Sequence, residues 1–204
     1  MGLRERKKAR TRDAISGAAI ALFLERGYEA VSIAEIAAAA DVSRRTLFVY
    51  FPTKDDLVLH RFADHEDEPA RVVRERAPDV APLAALHRHL RNGLDRRDPI
   101  TGLCDHPDVV RFYRLLLDTP ALSVAMVRYQ TRGEEALATA LGGRPLTARL
   151  AAAQILVVLR TLEHANQTRI TAGRSANDLA DTAIAEADEA FALLATGLAP
   201  YRGA

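Results

Sequence analysis

Between Leu150 and Leu159 a single residue, Gln154, is polar. The helix that begins near Thr147 is therefore apolar around its whole circumference, and such a helix has to be covered on every side. Its unbroken apolar run is too short to span a bilayer, which needs about 20 residues. The cover must then be protein. The segment from Ala176 to Leu198 supplies a second apolar stripe, with Leu179, Ala183, Ala187, Phe191, Leu194 and Leu198 at helical spacing. Neighbours in one small domain can cover only part of these two helices, and a two-fold pairing with a second copy buries the rest. The chain is expected to form a homodimer through its two C-terminal helices, the alternative being that both are core of a monomer.

The remainder of the chain reads as helix throughout. Ile15, Ala18, Ala19, Leu22 and Phe23 make one apolar face from Thr11 until Gly27 stops it. Ser32, with Glu35 three residues on, has the form of a capping box opening a short helix from Ile33 to about Ala40. Asp41, Val42 and Ser43 form a tight turn, and Ser43 caps a third helix from Arg44 to about Phe51. Pro52 to Lys54 starts a charge-rich connector helix reaching about Arg76. Further helices follow at Leu83–Leu94, Pro107–Leu117, Pro120–Leu141, Thr147–Thr171 and Ala176–Leu198. The expected fold is all-α, with about nine helices and no strands.

A short helix, a tight turn and a second short helix form a unit that can set one helix in the major groove of DNA. The net charge of the chain is only +1, so the position of its charge matters more than its sum. Arg4, Arg6, Lys7, Lys8, Arg10 and Arg12 stand against one acid, Glu5, which gives a local excess of 6 − 1 = +5. This reads as a basic arm ahead of the first helix.

The ordered residues Arg26-Gly27-Tyr28, Val31-Ser32-Ile33, Ile36-Ala37, Val42-Ser43-Arg44-Arg45-Thr46-Leu47, Tyr50-Phe51-Pro52-Thr53-Lys54 and Leu57 resemble the TetR family of transcriptional regulators. The match runs from about Ala9 to Leu57. The resemblance implies an N-terminal three-helix DNA-binding domain over residues 1–53, with its helix-turn-helix at about 32–51, and a helical effector-binding and dimerisation domain over 54–204. It also implies that Ser32, Tyr50 and Lys54 hold phosphates while Arg44, Arg45 and Thr46 face the groove. Ser43 and Phe48 complete the expected DNA-binding set. Hydroxyls and ammonium groups suit phosphate oxygens, and the arginine fork suits guanine O6 and N7. Val42, Leu47 and Phe51 read as packing residues.

Three positions depart from the usual family pattern: Asp41 and Arg45 where glycine or a small residue is common, and Phe48 where tyrosine is common. Phe48 gives up a hydroxyl but keeps the option of touching a thymine methyl. The string from Val42 to Thr46 with Tyr50-Phe51-Pro52 is similar to a branch that includes mycofactocin-type regulators, some of which respond to acyl thioesters.

The family places an effector pocket among the middle helices of the second domain. His87, Arg91, Arg111, Tyr113, Tyr129 and His164 are the expected ligand contacts, as polar groups on otherwise apolar faces. His87 and His89 point to different faces of one helix, and no His or Cys set has zinc-site spacing, so no metal or other cofactor is expected. The chain contains no G-x-G-x-x-G, G-x-S-x-G or P-loop motif, which argues against an enzyme. The single Cys104 and the absence of an apolar leader point to a cytoplasmic protein with no membrane association. The expected partners are double-stranded operator DNA, a second copy of the chain and an unidentified small-molecule effector. The expected function is a repressor that binds a palindromic operator as a dimer and is released by that effector. A ligand-independent regulator or activator, whose second domain only dimerises, fits the same sequence.

Overall fold

The computed structural model describes residues 2–197. It contains ten α-helices: α1 (Leu3–Arg26), α2 (Ile33–Ala39), α3 (Arg44–Tyr50), α4 (Lys54–Leu59), α5 (Glu68–Glu75), α6 (Pro82–Asp95), α7 (Pro107–Asp118), α8 (Pro120–Leu141), α9 (Pro145–Thr171) and α10 (Ala176–Thr196). Two 3-10 segments, His60–His65 and Pro99–Thr101, complete the regular structure, and no strand occurs among the described residues. The all-α expectation is met. Leu198, assigned to the last apolar stripe, lies outside the described residues.

Two elements differ from the sequence reading. The basic stretch is not an arm ahead of the first helix but its first turns, because α1 already begins at Leu3. Alanine, arginine, lysine and glutamate are all good helix formers, and Gly2 precedes them in extended geometry. The expected connector helix over 54–76 is broken into α4, a 3-10 segment and α5, which raises the helix count by one. Pro69 explains the break. It sits in the first turn of α5, where its missing N–H costs nothing, whereas further along a continuous helix its ring would strike the preceding turn.

The chain divides into two compact units, one running through Asp64 and including Arg114–Tyr129, the other comprising His65–Tyr113 and the chain from Gln130 on. In the first unit α1 packs on α2 and α4, and α2 on α3. Ile15, Ala19, Phe23, Ile36, Leu47 and Leu57 are buried there almost completely. Each large side chain so buried contributes roughly 1.5–3 kcal/mol relative to exposure. The buried Ser16 hydroxyl donates to the Leu57 carbonyl at 2.7 Å, tying α1 to α4.

In the second unit α10 packs on α6 and α9. One cluster joins Val73, Leu86, Leu137, Ala152, Ile155 and Phe191; another joins Leu94, Leu103, Tyr113, Ile170, Leu179 and Ala183. The α10 stripe is thus used within its own chain. The outward side of α9 is different: Leu146, Leu150 and Val157 are 71%, 55% and 50% exposed. These are the residues of the apolar helix that a single chain leaves uncovered.

Candidate nucleic-acid interface

The two short helices of the first unit are each fixed by local caps. Ser32 accepts from the Glu35 N–H, while the Glu35 carboxylate takes the Ser32 N–H at 2.8 Å and the Ser32 hydroxyl at 2.7 Å. This is the capping box expected from sequence. Arg26 adds an ion pair to Glu35 at 2.8 Å. The Ser32 hydroxyl and backbone, followed by Arg26, hold the Glu35 carboxyl down at about 2. The Ser32 hydroxyl thus serves the cap in the free protein.

After Ala40 the chain turns at Asp41, whose φ of 52° lies in the left-handed region. The Val42 N–H then returns to the Ala37 carbonyl at 2.9 Å. Aspartate tolerates this conformation better than most residues, which explains how the turn closes without glycine. Ser43 caps α3 by accepting from the Thr46 N–H at 3.0 Å, and its hydroxyl lies 2.8 Å from that of Thr46.

Leu47 and Phe51 pin α3 to the core, at 0% and 2% exposure. With that face fixed, Arg44, Arg45, Phe48 and Val49 project outward, and Thr46 and Tyr50 are half-buried at its sides. Phe48 is 50% exposed and Val49 76% exposed. Apolar groups this exposed, on a helix this short and beside two arginines, suit contact with base edges and thymine methyls. Val49 is absent from the sequence-derived set. Its position four residues after Arg45, on the same side of the helix, is the signal that could have found it.

The far end of α3 is held by α1. Arg12 donates to the Tyr50 carbonyl at 3.2 Å and lies over the Phe51 ring, 5.5 Å from its centroid. A cation at a helix C-terminus is favoured by the helix dipole. Lys54 has a partner within the chain: its ammonium donates to the Tyr28 carbonyl at 2.5 Å and sits over the Tyr28 ring at 4.2 Å. One of its three donors is used in this way. The Tyr28 hydroxyl in turn donates to the Asp55 carboxylate. Burial, then that carboxylate, pushes the phenol well above its usual range. Arg6, Lys7, Lys8 and Arg10 remain exposed on the first turns of α1.

The six residues expected to contact an effector are dispersed. His87 and Arg91 come together on Asp188: His87 Nε2 lies 2.8 Å from its Oδ1, and Arg91 donates to both oxygens. The His87 ring also stacks on Phe191 at 4.7 Å. Tyr113 is buried and donates to the Pro99 carbonyl at 2.6 Å. Tyr129 belongs to the first unit, where its hydroxyl donates to the Phe62 carbonyl at 2.5 Å. Arg111 and His164 are exposed. Sequence reasoning missed a buried polar group in the second unit built around Glu163, Asn166 and Gln167.

A three-helix unit that caps two short helices and turns the second one outward is the helix-turn-helix arrangement of DNA-binding proteins. Residues 15–60 match the family described as bacterial regulatory proteins, tetR family. The transcriptional regulator TcmR of Streptomyces glaucescens is 32% identical over 144 residues, 70% of this chain and 64% of TcmR. MftR of Mycobacterium tuberculosis, named for mycofactocin biosynthesis, is 29% identical over 126 residues, 57% of either chain. This chain therefore spans somewhat less than two thirds of these relatives. Among solved structures, FadR of Thermus thermophilus, a TetR family transcriptional repressor in complex with lauroyl-CoA, shares the fold. Its TM-score is 0.51 at 21% identity, over 95% of this chain and all of that one. The likeness to the tetR family thus rests on residues 15–60, which hold the helix-turn-helix.

Proposed function

We propose that the chain is a ligand-responsive transcriptional regulator, a repressor that binds a near-palindromic operator as a dimer and is released by a small molecule. The observation that carries the reading is the outward face of α3, where Arg44, Arg45, Phe48 and Val49 stand clear of a core that fixes the helix from behind. In this reading Arg44 and Arg45 read base edges or phosphate. Ser32, Ser43, Thr46, Tyr50 and Lys54 supply hydroxyls and an ammonium to the backbone, and Phe48 meets a thymine methyl. The DNA-binding domain comprises residues 1–53, and residues 54–204 bind the effector and dimerise. The protein works in the cytoplasm.

Dimerisation is supported by the exposed Leu146, Leu150 and Val157 of α9. By length and apolarity α9 would also suffice to cross a bilayer. Its inner face, however, shares a core with Leu86 of the polar helix α6, so the outward stripe is better suited to pairing with a second α9. Release follows if an effector prefers a conformation in which the two recognition helices no longer match successive major grooves. Ligand and DNA then oppose each other by equal factors.

Selection from a pool of random duplexes tests the reading. The enriched sites are expected to be two-fold symmetric, with half-site centres about 34–36 Å apart or a related spacing. Enrichment of an asymmetric site, or of none, would overturn it.

A further inference from the structure

Helix α3 is short, and its C-terminal end lacks a common form of backbone closure. Its seven residues make about two turns, too few to hold their own direction without outside contacts. One bond closes the end from within, the Phe51 N–H returning to the Leu47 carbonyl at 2.9 Å. Phe51 itself is extended, at φ −137° and ψ 102°, and the following Pro52 carries no N–H to give back to α3. The last carbonyls of the helix therefore depend on water or on donors from other elements.

Such a donor comes from α1. Arg12 is exposed on that helix, yet its guanidinium crosses to the Tyr50 carbonyl at 3.2 Å and stands 5.5 Å from the centroid of the Phe51 ring. The same ring meets the His60 imidazole edge-on, with centroids 5.5 Å apart, and His60 Nε2 lies 2.9 Å from the Asp13 carboxylate. Two successive residues of α1 thus grip Phe51, Arg12 directly and Asp13 through His60. The start of α3 is held by the Ser43 cap, and its middle is pinned by the fully buried Leu47. What remains to be set is the tilt of its far end, where Phe48 and Val49 stand outward beside Tyr50.

We infer that Arg12 is a positioning residue for sequence recognition: by holding the Tyr50 carbonyl and the Phe51 ring, it sets the tilt at which α3 meets base edges. The inference rests on the regulator reading and adds to it a residue of α1 that touches no base. Hydrogen bonds to base edges weaken steeply with misalignment. Attraction between basic groups and phosphate falls off slowly with distance and carries no sequence information. Loosening the far end of α3 therefore costs the preferred site more than it costs DNA in general. A guanidinium engaged on phosphate behaves differently, since its loss weakens all duplexes alike and lowers the salt dependence.

Anisotropy titrations of the full chain against the duplex selected from the random pool, and against its scramble, over a salt series, test this. Arg12→Ala and Arg12→Met are expected to bind the selected duplex about tenfold more weakly, with the scramble little changed and the salt slope kept. Arg12→Lys keeps a donor for the carbonyl and a cation for the ring, and is expected to restore the preference that Arg12→Met, of similar length, loses. Equal weakening on both duplexes, with a slope lower by about one, would put Arg12 on phosphate and overturn the proposal. An Arg12→Ala chain that discriminates as the unmodified one does would overturn it too. Should Arg12→Ala fail to melt cooperatively, the comparison of Arg12→Met with Arg12→Lys decides, since both keep the stem of an exposed side chain. Amide exchange at Tyr50 and Phe51 in the free protein reads the grip without DNA. It is expected to quicken in Arg12→Ala and Arg12→Met and not in Arg12→Lys; equal rates in all four proteins would overturn the grip. An unmodified chain that prefers no duplex overturns the regulator reading, and the exchange rates then still decide whether Arg12 holds α3.

Discussion

The two units differ in how their helices are started and tied together. In the first, each short helix opens on a local cap, Ser32 with Glu35, Ser43 with Thr46 and Thr53 with Asp56, and Arg12 to Tyr50 and Ser16 to Leu57 then tie these helices to α1. In the second, hydrogen bonds join distant segments: Asn166 to Thr101, Arg91 to Asp188 and Asp105 to the Ala176 N–H. Local caps give a rigid frame from which α3 projects, as the proposed DNA contact requires. Distant polar pairs give a core whose packing depends on how its helices meet, and such a core can be biased by a ligand.

The sharpest way to break the second arrangement is at its closest approach. Gly102→Ala places a Cβ against the Glu163 carbonyl in a backbone conformation that disfavours side chains. We expect a loss of at least about 3 kcal/mol, measured by chemical denaturation. Hydrogen exchange should quicken at α9 and leave α1 to α3 unchanged. Equal quickening in both units would erase the contrast drawn above.

Glu163→Gln should act in the opposite direction. The folded carboxyl titrates at about 7 against 4.5 ordinarily, so the native state holds its proton more tightly than the unfolded one. The native state of the unmodified chain therefore loses stability as pH rises between those values, and it stays lower above them. The variant is expected to be more stable by about 1–3 kcal/mol at pH 8, with the gap closing near pH 4. A gap independent of pH would contradict the burial of that carboxylate.

These contrasts also explain what the sequence could reveal. The helix-turn-helix was legible nearly to the residue because its signals are short-range: Ser32 and Glu35 announced the start of α2, and Ser43 that of α3. Pro69 carries the signal for the broken connector, which the expectation of one charge-rich helix from Lys54 to about Arg76 passes over. The partners of Lys54 and Arg12 were not legible, because Tyr28 and Tyr50 are brought to them by the folding of α1 against its neighbours. The Glu163 group was hidden for the same reason. Nothing near it in sequence marks it as enclosed, and its environment is made by a turn about sixty residues earlier.

Two smaller changes probe the first unit. Ser32→Ala removes the capping box and is expected to cost about 1 kcal/mol of stability, together with a loss of DNA affinity if the hydroxyl also reaches phosphate. Asp41→Gly relieves a left-handed backbone and is expected to stabilise by about 0.5 kcal/mol, the relief being partly offset by the extra freedom of glycine in the unfolded chain. A thermal melt resolves the first readily; the second calls for denaturant titration in parallel with the unmodified chain.

The central claim is that the outward face of α3 reads DNA. Its most direct test is a fluorescence-anisotropy titration, at several fixed salt concentrations, of the protein and its Arg44→Ala variant. The target is the duplex immediately upstream of the protein's own gene, beside a scrambled duplex. The account predicts that two chains bind each upstream site in preference to the scramble, and that Arg44→Ala costs about 1–3 kcal/mol of binding and narrows the gap between the two duplexes. Equal affinity for both duplexes, or a variant that binds as the unmodified protein does, would contradict it.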